Sequence, residues 1–232
     1  MGMIFDALFQ SQPRDLQEQV TRRPVDLPGF AAGTRVATPS GPVDVAALKV
    51  GDLVRTLDHG TAPLRRVERW TCSLWRTSPA SRLIQVKAGS LGAGRPAVDL
   101  MLSANQCVMI SDPGCVALFG TAEVLVPVGL LTGLRGISTV FNRFSTDYVT
   151  LVTEEHELLM ADGLEVATPY PTPDLLGLLS PERTAPPPAR PSVPRKSLDM
   201  LVALLELEHA MGDGPITMGR HGNYLYLVQD PQ

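Results

Sequence analysis

From Gly29 to about Pro169, short apolar runs alternate with clusters of glycine, proline, aspartate and serine. Runs of roughly four to eight residues between such clusters are typical of β-strands. Residues 64–70 alternate apolar and charged side chains, as expected of a strand with one exposed face. No stretch in this span shows a sustained helical period. The pattern therefore predicts an all-β domain built from many short strands.

The predicted strands share apolar character and a boundary of turn-forming residues. They are 34–37, 43–48, 53–57, 64–70, 83–88, 100–102, 108–110, 116–119, 148–152, 156–160 and 164–167.

The composition changes on both sides of this span, which predicts appendages to the β domain. Residues 1–28 are predicted to form an N-terminal arm with a short apolar helical face. Residues 29–170 are predicted to form the β domain. Residues 171–196 are rich in proline and predict an extended linker, with one short helix at 174–179. Residues 197–232 predict a C-terminal helix, capped by Ser197 and reaching residue 209, and then a hairpin of 216–218 with 224–228.

The bulk composition limits the partners that the chain can have. A net charge of −4, a pI near 5.6 and an aromatic content of 5% argue against a nucleic-acid surface. No apolar run has the length of a membrane span, and the first ten residues lack the basic region of a secretion signal. We therefore expect a cytoplasmic protein that contacts neither nucleic acid nor membrane.

The cysteines and histidines show no spacing typical of a metal site. The three cysteines, Cys72, Cys107 and Cys115, form no CxxC pair, and an odd number cannot all be paired within one chain. We expect free thiols, no metal and no cofactor, since a phosphate-binding glycine loop is also missing from the sequence. Glu154, Glu155 and Glu157 form a small acidic cluster, which we predict to be a solvent-exposed edge.

Three blocks of sequence occur in an order that resembles the Hint family, the domain shared by inteins and hedgehog autoprocessing regions. The first block comprises residues 33–43 and 48–56, the second 102–109, and the third 148–158 with 163–166. They cover about residues 29–170 and are most similar to short bacterial members of the family. The resemblance implies a Hint-like all-β fold.

The resemblance also implies a reaction. A cysteine or serine at the first position of the domain attacks the carbonyl before it, which is nucleophilic catalysis. A histidine in a Thr-x-x-His block protonates the departing amine. A second histidine, near the end of the domain, assists later steps or holds the site together.

This chain departs from the family pattern at most of the chemical positions. Gly29 stands at the position of the nucleophile and follows Pro28. Ser103 and Gln106 stand in the Thr-x-x-His block, and an amide cannot donate a proton near neutral pH. His156 remains, either as a structural hydrogen-bonding residue or as part of a vestigial pocket. Ala167 and Thr168 occupy the place of the His-Asn pair that ends inteins.

Other residues of the block offer little as replacements. Ser103 needs an adjacent base to act as a nucleophile, and Gln106 is not one. Strand alternation predicts that the side chain of Cys107 points away from that of Gln106 and is buried as a small apolar group.

Two classes of function follow from the sequence. The first is a catalytically silent interaction or scaffold module with an unknown protein partner, reached through the arm or through helix 197–209. The alternative is an active self-cleaving Hint domain that uses an unconventional nucleophile. A structural component of a phage or secretion system is a third hypothesis, to which only the appendages point. If the pocket persists, exchanging Gly29 for cysteine and Gln106 for histidine should restore some thiol-dependent cleavage.

Overall fold

The computed structural model describes residues 27–73, 78–141, 144–170, 187–194, 197–211, 216–221 and 224–229. The predicted arm up to residue 26 and the predicted short helix at 174–179 lie outside the described residues.

Antiparallel strands dominate the described residues, which confirms the all-β prediction. In chain order the strands of the domain are β1 Phe30–Ala31, β2 Arg35–Thr38, β3 Gly41–Asp44, β4 Leu53–Thr56, β5 Gly60–Pro63, β6 Arg66–Ser73, β7 Leu83–Val86, β8 Leu100–Ser103, β9 Cys107–Ser111, β10 Glu123–Pro127, β11 Ile137–Thr139, β12 Ser145–Val152, β13 Leu158–Ala161 and β14 Leu164–Ala167.

The first sheet has the order β11-β7-β8-β1-β12-β6. The short strand β1 lies at its centre, where Phe30 pairs with Val149 of β12 on one side and with Leu102 of β8 on the other. The residue just before β1, Gly29, is therefore surrounded by strands from distant parts of the chain.

The second sheet has the order β10-β9-β14-β13-β2-β3, and β4 joins it by pairing with both β13 and β5. One hydrophobic core contains buried residues of both sheets, among them Leu102 and Leu151 from the first and Val108 and Val166 from the second. Burying apolar side chains from two sheets in one core is the main favourable contribution to such a fold.

One predicted strand is wrong. Residues 116–119 belong to a helix, α1 Gly114–Phe119. The Asp112 carboxylate accepts a hydrogen bond of 2.5 Å from the Gly114 amide, and Gly120 ends the helix in the left-handed conformation with φ 76°. An apolar run this short has no periodicity that separates strand from helix.

Two further differences concern strand boundaries and strands without a prediction. The predicted strand 43–48 ends at Asp44, whose side chain accepts a hydrogen bond from the Ala46 amide and starts a single 3₁₀ turn. Strands β1, β5, β10 and β11 were not among those predicted from the sequence.

The C-terminal helix α2, Leu198–Met211, packs on the β domain. Leu201, Leu204 and Leu205 are buried in the same core as the two sheets. A Cβ atom on Gly114 of α1 would lie 2.8 Å from a methyl group of Leu204, so the two helices approach closely. The apolar face of α2, which the sequence predicts as a contact for a partner, is thus packed against the rest of the chain.

The predicted hairpin is confirmed as strands β15 Ile216–His221 and β16 Tyr224–Gln229, which pair in an antiparallel register. None of the helices in the described residues is long and apolar enough to cross a membrane.

Candidate functional site

The Pro28–Gly29 junction lies at the edge of β1, next to the end of β8. The Gly29 amide donates a hydrogen bond of 2.8 Å to Ser103 Oγ, and the Ser103 amide donates one of 2.9 Å to the Gly29 carbonyl. The Ser103 hydroxyl proton is directed at Asn105 Oδ1, 2.8 Å away. The Ser103 hydroxyl therefore accepts one hydrogen bond and donates another, and it holds the Pro28–Gly29 junction in place.

The Pro28 carbonyl is held by a short chain of hydrogen bonds. Thr150 Oγ1 donates to this oxygen at 2.6 Å, and Trp70 Nε1 donates to Thr150 Oγ1 at 3.1 Å. Thr150 lies on β12 and Trp70 on β6, so the strand pairing of Thr150 with its neighbours fixes this arrangement. The bond to the hydroxyl polarises this carbonyl.

Packing leaves little room for a side chain at Gly29. An ideal Cβ atom there would lie 3.0 Å from Tyr148 Cβ and 3.3 Å from Trp70 Cζ2. The rings of Trp70 and Tyr148 are in contact with each other, with centroids 4.5 Å apart. These two aromatic residues occupy the space next to the position of the missing nucleophile.

The Gln106 side chain serves as a structural donor. It is almost fully buried, and its Nε2 donates a hydrogen bond of 2.6 Å to the Ala167 carbonyl at the end of β14. The bond ties the residue before β9 to the strand that pairs with it.

His156 lies in the loop between β12 and β13 and is mostly buried. Its Nδ1 accepts a hydrogen bond of 3.0 Å from the Ala189 amide, so the neutral ring carries its proton on Nε2. Tyr170 contacts it edge-on, with ring centroids 5.7 Å apart. Burial lowers the pKa of His156, against a smaller opposing effect of the hydrogen bond that the ring donates to the Thr168 backbone carbonyl. The imidazole is therefore neutral near pH 7.

A cavity of about 290 Å³ brings these positions together. Pro28, Gln106 and His156 all line it, and Ser103 accepts a hydrogen bond from Gly29, the residue after Pro28. Pro28 and His156 thus line one cavity although they lie more than a hundred residues apart in the sequence.

Cys107 also lines this cavity and is partly buried against the small apolar cluster that includes Met109 and Leu125. The thiol is only partly buried by surface area, but its surroundings raise the pKa of Cys107 to about 11 through desolvation. A thiol with such a pKa is almost entirely protonated at neutral pH and is a poor nucleophile.

A second cluster of polar side chains lies at the turn between β4 and β5. His59 Nδ1 is 3.1 Å from each carboxylate oxygen of Glu157, and Glu155 lies beside them. Among the described residues this is the one group of three side chains whose ligand atoms lie close enough to hold a metal ion. The Glu157 side chain is only 4% exposed, so its prediction as part of a solvated edge is wrong. The hydrogen bond with this buried carboxylate raises the pKa of the His59 imidazole.

Sequence reasoning missed Thr150, Trp70 and Arg190. Thr150 and Trp70 occur in ordinary alternating strands, where a threonine or tryptophan gives no sign of a role at the site. Arg190 lies in the proline-rich segment, and only the fold brings it to Asp58 and Glu123.

A family model described as "Hint domain" matches residues 28–173. Several solved structures are similar at low identity. A bacterial intein-like domain from Clostridium thermocellum shares 13% identity over 60% of this chain and 97% of that chain, with a TM-score of 0.42. The gp41-1 intein shares 14% over 60% and 97%, with a TM-score of 0.36. The MchDnaB-1 intein shares 13% over 60% and 98%, with a TM-score of 0.38. No curated protein matches the sequence significantly.

Proposed function

The chain belongs to the Hint domain family, and we propose that it is a member that does not cleave its own backbone and serves as an interaction module. The observation that carries this proposal is Gly29, which offers no nucleophile beside a carbonyl that is otherwise well held. A polarised carbonyl without an attacking group does not react, because orientation and electrostatics act only on a nucleophile that is present.

The groups around the junction support this interpretation. The Ser103 hydroxyl donates to Asn105 and the Thr150 hydroxyl donates to the Pro28 oxygen itself, so neither has a base to remove its proton. Gln106 replaces the proton donor of the family pattern with a neutral amide bound to Ala167. The proposal therefore rests on two missing functions, the attack and the protonation of the leaving amine.

One observation favours the alternative, an active domain with an unconventional nucleophile. The Cys107 thiol lines the same cavity as Pro28. Its raised pKa opposes this role, because only the thiolate attacks a carbonyl at a useful rate.

Intact-mass spectrometry of the full chain separates the two functions. After incubation with excess dithiothreitol or hydroxylamine across the neutral and mildly alkaline range, we expect a single species at 25.0 kDa. A fragment that ends at Pro28 would contradict the proposal. If the fragment disappears in a Cys107→Ala variant, the alternative is correct.

A repaired variant tests whether the rest of the site can still react. Gly29→Cys with Gln106→His supplies a thiol and an imidazole, and Gly29→Ala with Gln106→His adds the same Cβ atom without sulfur. We expect thiol-dependent cleavage only in the cysteine variant, and in low yield, because the new Cβ atom is crowded by Tyr148 and Trp70. If neither variant is cleaved, the geometry for attack is lost as well.

A further inference from the structure

Residues 187–194, here called the strap, lie along the edge of β10. The Leu125 amide donates a hydrogen bond of 2.9 Å to the Pro191 carbonyl, and the Val193 amide donates one of 3.0 Å to the Leu125 carbonyl. Leu125 and Ser192 form a parallel bridge. The edge of β10 thus binds an additional extended chain through its backbone, which any extended peptide can supply.

Arg190 is the charged anchor of the strap. Its Nη1 and Nη2 each donate to one oxygen of Asp58 at 2.9 Å, and its Nε donates to Glu123. Asp58 lies in the turn after β4 and Glu123 begins β10, so two separate elements present the carboxylates. A planar guanidinium that uses three N–H groups at once is recognised by geometry as well as by charge.

Ala189 provides the contact with the cavity. Its side chain packs against the small apolar cluster of Met109, Leu125, Leu158 and Ala167. Its amide is the donor to His156 Nδ1, so the neutral histidine recognises a backbone N–H of the strap. Pro188 and Ser192 form part of the cavity wall, and about 290 Å³ between them, Pro28 and His156 remains unfilled.

We propose that Asp58, Glu123, His156 and the edge of β10 form a groove for an extended, arginine-containing segment of a partner protein, and that the strap is the chain's own occupant, which this segment displaces. The inference rests on the proposed function and names the partner class for it.

The contacts that hold the strap are of a kind that exchanges readily. The backbone part is an isolated bridge, and the side chains of Arg190, Asp58 and Glu123 remain 21%, 31% and 36% exposed. Ion pairs with this degree of solvent contact can open without leaving a charge buried and unpaired, so a second arginine can take the place of Arg190. The strap competes through its high effective concentration, so a partner segment prevails by filling the space that the strap leaves empty.

Fluorescence anisotropy with a labelled synthetic peptide tests the groove. The probe has the sequence of residues 187–194, and the host is the full chain carrying Arg190→Ala, which weakens the competing strap. We expect at least about tenfold tighter binding to this host than to the wild-type chain. We expect a similar loss of affinity when the arginine of the probe is replaced by alanine, or when Asp58→Asn or Glu123→Gln is added to the host.

Glu206→Gln, added to the same host, is the matched control, because Glu206 is an exposed carboxylate on α2. It should leave the affinity unchanged, and circular dichroism should show that all hosts are folded. The proposed groove is wrong if a scrambled probe binds with the same affinity. It is also wrong if Asp58→Asn and Glu123→Gln leave the affinity of the probe unchanged. If the wild-type chain forms dimers and the probe dissociates them, the occupant of the groove is a second copy of this chain. That result would overturn the assignment of a partner protein.

Intact masses of the same samples separate this inference from the proposed function. An uncleaved chain that ignores the probe overturns the groove and leaves the absence of cleavage standing. A cleaved chain overturns the proposed function whatever the probe does.

Discussion

At the scale of single residues, Thr150 is the residue that the site depends on most. It donates to the Pro28 carbonyl and accepts from Trp70, and it is buried at 1% exposure. Both partners lose a hydrogen bond if this hydroxyl is removed. A buried donor or acceptor without a partner costs more than the bond itself contributed.

Thr150→Val should therefore lower the free energy of unfolding by about 1–3 kcal/mol, although the two side chains have nearly the same shape. Thr146→Val is the matched control, because Thr146 lies on the same strand, is half-buried and makes no side-chain hydrogen bond among the described residues. Urea denaturation monitored by tryptophan fluorescence measures both. Equal losses for the two variants would contradict the relay through Thr150.

At the scale of elements, α2 is part of the core. Leu201 has no exposed surface and packs with residues of both sheets, whereas Met200 is 49% exposed. The apolar stripe that the sequence shows at residues 198–205 is therefore used within the chain.

Leu201→Ala should destabilise the whole domain by about 2–5 kcal/mol, as large-to-small changes in a core do. Met200→Ala, one position earlier, should change the stability by less than about 0.5 kcal/mol. Thermal unfolding followed by circular dichroism at a β-sheet wavelength measures this effect on the sheets. If Leu201→Ala leaves the unfolding of the sheets unchanged, α2 does not share their core.

The elements also show what the sequence can predict and where it fails. The strand Leu164–Ala167, a short run between a glycine turn and a proline, is recovered with its observed bounds. The run 116–119 has the same character and forms a helix, because Asp112 and Gly120 decide its conformation through local hydrogen bonds and backbone geometry. The strap escapes prediction because proline-rich composition indicates an extended chain but not what lies beside it.

The candidate site follows a similar division. The resemblance of three sequence blocks predicts that Gly29, Gln106 and His156 belong to one site. Pro28, the residue before Gly29, lines one cavity together with Gln106 and His156. The residues that fill and support this site, Trp70, Tyr148 and Thr150, come from strand positions that differ in no way from other strand positions in the sequence. Their roles depend on strand register, which local pattern does not determine.

At the scale of the whole molecule, the stability depends on pH through two histidines with shifts of opposite sign. The pKa of His156 is lowered, so the folded state binds its proton less well than the unfolded state. Its contribution to stability is complete above about pH 6.5 and is lost as the pH falls below that value. His59 has a raised pKa, so its contribution is present below about pH 6.5 and is lost as the pH rises through the higher folded value.

His156→Asn isolates the first effect, because an amide oxygen can accept the Ala189 amide bond without titrating. The wild-type chain should lose stability relative to this variant as the pH falls from 7 to 5, and the two should run parallel above pH 7. His59 is present in both chains, so its titration cancels in the difference. Urea midpoints at each pH give the comparison, and a constant difference would contradict the shift assigned to His156.

The central place of β1 in the first sheet has a consequence for biosynthesis. Phe30 leaves the ribosome more than a hundred residues before its partner Val149. At roughly 5–20 residues per second, the nascent strand waits several seconds before its second neighbour exists. The first sheet can therefore form completely only after β12 has been translated. During that interval, chaperones that shield apolar nascent segments have the opportunity to act on this chain.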